Sequence, residues 1–74
     1  MNLVKKITDA MKSDDYSFHM CSVIRRFIPL HLYRKVNIYL DDIEDELYQR
    51  ELKNNNVIKE NLNKILDLIL IDSN

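Results

Sequence analysis

The sequence predicts an all-α fold: a compact bundle of three or four helices in a single domain over residues 1–74. Three observations predict it. The chain has no Gly, the residue that most easily supplies hairpin turns and phosphate-cradling loops, so β-rich folds and Gly-loop nucleotide sites are disfavoured. Its single Pro, Pro29, interrupts the chain only once. Apolar residues recur at steps of three and four, the period of a helix buried along one side.

Each element follows from that period. Leu3, Val4, Ile7, Ala10 and Met11 share one face of a short helix over residues 2–12. Ser13-Asp14-Asp15 then supplies cap-type oxygens before a second helix carrying Tyr16, Met20, Val23, Ile24 and Phe27. That helix should stop before Pro29, because the residue preceding a proline avoids the α region. Pro29 itself suits the first turn of a third helix, where its missing N–H is harmless. Val36, Leu40, Ile43 and Leu47, widened by Leu32 and Tyr39, predict a long central helix from about residue 30 to about residue 53. Asn54-Asn55-Asn56 is the natural break, since Asn favours caps and turns. A last helix carries Ile58, Leu62, Ile65, Leu66 and Ile69. A competing layout is one unbroken helix over residues 30–71, with Asn54 on the seam of an oligomeric coiled coil. The break is preferred, because a chain this small needs a folded-back hairpin to close its core.

Composition bounds the function. Apolar residues make up 46% of the chain and the net charge is −1 at a pI near 6.0, which argues against disorder and against a bulk nucleic-acid binder. A folded chain of this length buries only roughly 60% of its unfolded surface, so its own core leaves a thin margin. One Cys cannot staple the chain to itself. No apolar run approaches the ~18 residues that suggest a bilayer span, and the amino terminus lacks the order of a signal peptide. A cytoplasmic protein that does not insert in membranes is expected. Ile, Asn and Lys are abundant while Ala appears once, the composition of an AT-rich genome; a compact viral, phage or mobile-element accessory gene is the sharper expectation.

Charge is uneven. Residues 1–35 hold seven Lys/Arg against three Asp, and residues 36–74 hold four against nine Asp/Glu. The basic cluster Arg25, Arg26, Arg34 and Lys35 brackets the Pro29 corner, with Phe27, His31 and Tyr33 nearby, as a phosphate-contacting patch would. At a helix C-terminus Arg25 and Arg26 also complement the dipole, whereas Arg34 and Lys35 near a helix start conflict with it and call for an anion. The acidic block Asp41, Asp42, Glu44, Asp45 and Glu46 lacks the alternating ligands and the Gly of a calcium loop. It reads as a solvated face, or as a surface for a basic partner. His19 and Cys21 lie two residues apart, on opposite sides of a helix, and cannot share a ligand or a proton. With three Cys and His in all, no structural zinc set exists, and neither a metal nor any other cofactor is expected.

Ile65-Leu66-Asp67-Leu68-Ile69-Leu70-Ile71 is apolar almost all round. Ile65 and Ile69 can face the core, which leaves Leu68, Leu70 and Ile71 to seek a partner, as does Ile38 off the seam of the third helix. Tyr16, Tyr33, Tyr39 and Tyr48 suit a domain rim or an interface equally. Ile28-Pro29, Leu32, Val36 and Tyr39-Leu40 resemble the opening of an F-box, a module that recruits a ubiquitin-ligase adaptor. The likeness covers about thirteen residues; His31 stands where that motif has Glu, and its later pattern does not follow.

The function expected is a small non-enzymatic interaction protein. It would regulate or inhibit by docking on a larger macromolecule, by forming a homodimer through its carboxyl-terminal helix, or both. The alternative is a nucleic-acid-binding regulator that uses the basic corner. No acid–base, nucleophile or metal set survives the spacing of the residues, so no enzyme is expected.

Overall fold

The computed structural model describes residues 2–72. Four helices follow one another, α1 (Leu3–Ser13), α2 (Phe18–Phe27), α3 (Tyr33–Tyr48) and α4 (Asn55–Asp72), with 3-10 turns at Leu30–Leu32 and Arg50–Leu52. The described residues contain no strand. This is the all-α bundle the apolar period predicts.

Caps fix where the helices begin and end. The Asn2 side chain accepts from the Lys5 N–H at 3.1 Å, satisfying a donor that α1 cannot pair internally. Asp14 then closes α1 in the left-handed region, at φ 51°, the position helices most often give to Gly. Ser17, not the Ser13-Asp14-Asp15 run, caps α2, its Oγ accepting from the Met20 N–H at 3.1 Å. Tyr16 therefore lies outside the helix. Its ring is buried in the core and its hydroxyl donates to Asp14 at 2.9 Å.

The segment 30–53 is helical over most of its length but is not one rod. Pro29 leads a 3-10 turn closed by the Leu32 N–H on the Pro29 carbonyl, and α3 begins only at Tyr33. At its other end Arg50 takes φ 54°, a left-handed backbone that an α-helix cannot contain. The unbroken helix over 30–71 is thereby corrected. Asn54 is no seam residue; its Oδ1 accepts from the Asn56 N–H at 2.9 Å and caps α4.

Each helix buries one stripe. Ile7 comes from α1, Met20, Cys21 and Ile24 from α2, Val36, Leu40, Ile43 and Leu47 from α3, and Ile58, Leu62, Ile65 and Leu66 from α4. Every large aliphatic side chain so buried contributes roughly 1.5–3 kcal/mol relative to exposure. The packing is antiparallel where side chains meet. Phe18 at the start of α2 meets Tyr48 at the end of α3 in a tilted ring contact, centroids 4.8 Å apart. Lys59 near the start of α4 reaches Asp14 at the end of α1 at 3.0 Å, and that contact, with the Tyr16 hydroxyl, holds the Asp14 carboxyl below its ordinary range. One end of the bundle is thus formed by the last turn of α2, the Leu30–Leu32 turn, the first turn of α3 and the last turn of α4.

Candidate interaction surfaces

The basic corner does not present four equivalent cations. Arg25 turns inward: its Nε donates to Asn37 at 2.7 Å, and Nη2 reaches Glu44 at 2.5 Å and Asp41 at 3.2 Å. Side chains of Arg25 and Glu44 are only 23% and 24% exposed, so each carries its charge into a half-buried site because the other is there. Glu44, foremost, raises the Arg25 pKa further. Arg25 is thus a clasp between α2 and α3, not a solvent-facing phosphate ligand. Arg26 lies over the Phe27 ring at 5.7 Å. Exposed Arg34 and Lys35 form no ion pair among the described residues.

The acidic block likewise divides. Glu44 and Asp41 serve Arg25, and half-buried Glu46 accepts from the Asn54 N–H at 2.7 Å, tying the end of α3 to the turn that starts α4. Asp42 and Asp45 remain on the solvent face. The uneven charge of the two chain halves is therefore partly settled within one molecule.

Of the apolar residues expected to seek a partner, Leu68 does not. It is half-buried and packs against the core, because α4 is covered by α1 as well as α3 and so hides a wider arc than a two-helix contact would. Ile38, Leu70 and Ile71 are exposed, Ile71 to 72%. Phe27, Tyr33 and Leu30, the last 88% exposed, also face solvent at the end of the bundle where Leu70 and Ile71 lie. His31 Nε2 lies 2.6 Å from Asp72 Oδ1, which sets the Leu30–Leu32 turn against the last turn of α4. This cluster was only half legible: Leu30 is out of phase with Leu32 and Val36, but nothing in the sequence pairs His31 with Asp72.

A shallow cleft of about 290 Å³ opens between α1 and the start of α2, lined by Asp9, Ser13, Asp15, Ser17 and His19 among others. Neither serine is activated by the histidine. Ser13 Oγ donates to the carbonyls of Asp9 and Ala10, Ser17 Oγ accepts the α2 cap bond, and Asp9 is paired with Lys5 at 2.7 Å. Cys21 is buried on the core side of α2 while His19 is exposed. No group of three His, Cys, Asp or Glu among the described residues is arranged to hold a metal ion. No helix among them is long and apolar enough to cross a membrane.

No protein family, curated protein or solved structure matches the chain.

Proposed function

We propose that this protein is a small non-enzymatic interaction module, a regulator or inhibitor that docks on a larger macromolecule through the apolar end of its bundle. One observation carries the reading: Phe27, Leu30, Tyr33, Leu70 and Ile71, from four separate elements, are exposed at the same end. Scattered apolar side chains are ordinary on any surface, but a gathered set rimmed by charge is the anatomy of a binding surface. Arg26 and Arg34 lie beside it in sequence, so an apolar partner surface with acidic edges fits best. A compact viral, phage or mobile-element accessory protein acting in the cytoplasm is the setting that the composition favours.

Affinity capture from the native host, with nuclease-treated and untreated extracts side by side, tests the proposal. The parent should retain a defined protein that the Leu30→Asp, Ile71→Gln double variant loses while keeping its helical spectrum. Equal retention by both would place docking elsewhere. Retention abolished by nuclease would favour the nucleic-acid reading through Arg26, Arg34 and Lys35, with a steep loss of affinity at higher salt.

A further inference from the structure

α3 buries Val36, Leu40, Ile43 and Leu47, and turns Asn37 and Glu44 toward Arg25 of α2 and Tyr39 toward Lys64 of α4. What remains is a strip facing solvent. Its middle residue is Ile38, a large aliphatic side chain 60% exposed, with no apolar neighbour on the strip. Arg34 and Lys35 stand four and three residues before Ile38; Asp41 and Asp42 stand three and four residues after it. All five are exposed. On a helix, positions three and four away on either side flank the same face, one turn below and one turn above.

This pattern is its own complement. Turned end for end about an axis beside Ile38, the strip sets its basic turn opposite its acidic turn and Ile38 opposite Ile38. A two-fold axis imposes this relation, since each residue that meets a different one is met by it in return. We infer that the solvent face of α3 is a self-recognition surface, on which a second copy of this chain packs antiparallel with the two Ile38 side chains at the centre. Arg34 and Lys35 of each copy then lie against Asp41 and Asp42 of the other. The pairing also answers the local conflict of two cations at the start of α3, where the helix dipole disfavours them. Arg25 does not compete for the whole acidic turn: Glu44 is its nearer partner, and the Asp41 side chain stays 63% exposed.

The contact is small. A strip about 13 Å long and about 10 Å wide falls far below the ~800 Å² per partner of a standard interface, so the dimer is weak and sensitive to salt. The inference uses a different surface from the apolar end and does not depend on it.

Sedimentation equilibrium from micromolar to millimolar concentration tests it, with charge reversal as the discriminating control. The parent should self-associate at low salt, and molar salt should weaken the association by roughly tenfold or more. Arg34→Asp with Lys35→Asp makes the strip wholly acidic; Asp41→Lys, Asp42→Lys and Asp45→Lys together make it wholly basic. Each variant alone should be monomeric, and an equimolar mixture should form a one-to-one dimer tighter than the parent's. If replacing Asp41 disturbs Arg25 and the helical spectrum, Asp42→Lys with Asp45→Lys serves in its place. A mixture that stays monomeric overturns the inference. So does a parent dimer that survives both reversals yet dissociates in the Leu30→Asp, Ile71→Gln variant, since that dimer would be built on the apolar end.

Discussion

Arg25 shows how one side chain changes its meaning between sequence and fold. Beside Arg26 it reads as half of a basic pair, because adjacency along the chain is all the sequence displays. The fold turns Arg25 toward Asn37, Asp41 and Glu44, partners twelve to nineteen residues away that only the packing of α2 on α3 supplies. Cys21 was more legible, since a lone Cys is more often a small core filler than a reactive group. The structure buries it completely, and burial, reinforced by the nearby Glu44 carboxylate, pushes its thiol from 9.0 up to about 12. The thiol should therefore resist alkylation in the folded protein at neutral pH and react rapidly in urea. Because its folded pKa lies above the unfolded one, the stability it contributes is fully present below about pH 9 and is lost as pH rises toward 12. Thiolate absorbance followed during alkaline titration checks this. It should appear near pH 9 in urea but only well above that in the folded chain, and equal titration in both would mean that Cys21 is accessible.

At the scale of elements, the helical stripes were readable and the joints were not. Val36, Leu40, Ile43 and Leu47 announced α3, but the ends of α3 depend on two local features that periodicity cannot see. One is the 3-10 turn after Pro29; the other is Arg50 at φ 54°, a left-handed residue in a chain without Gly. The three Asn residues were correctly a break, and the structure gives each a different environment. Asn54 caps α4, Asn55 is half-buried within its first turn and Asn56 is exposed there. The cap has a direct energetic consequence, and the buried Asn55 Oδ1, which accepts no hydrogen bond from the described residues, carries a cost of the opposite sign. Asn54→Ala removes the acceptor for the Asn56 N–H and should cost about 1 kcal/mol, read as a lower urea midpoint at unchanged slope. Asn56→Ala, on the exposed face, should cost less than about 0.5 kcal/mol. Equal losses at both positions would mean that helix propensity, not the cap, sets the start of α4.

For the whole molecule, the surplus of apolar surface is real but is placed differently from what the sequence suggests. Taken alone, α4 holds more apolar residues than one neighbour can cover, and Leu68 and Ile71 look equally stranded. In the bundle α4 is flanked by α3 and by α1, so Leu68 is half-buried against the core while Ile71 stays in water. The two positions, three residues apart, should answer the same substitution differently. Leu68→Gln gives up apolar burial and should cost about 1–2 kcal/mol, a visible fraction of the roughly 4–11 kcal/mol expected of a domain this size. Ile71→Gln exchanges one exposed side chain for another and should stay within about 0.5 kcal/mol of the parent. Thermal unfolding by circular dichroism separates the outcomes, because each kcal/mol shifts the midpoint by about 4–8 °C in a domain of this length. A large loss at Ile71 with none at Leu68 would mean that the last turn of α4 is rotated from the arrangement described, and the apolar end would lose one of its members.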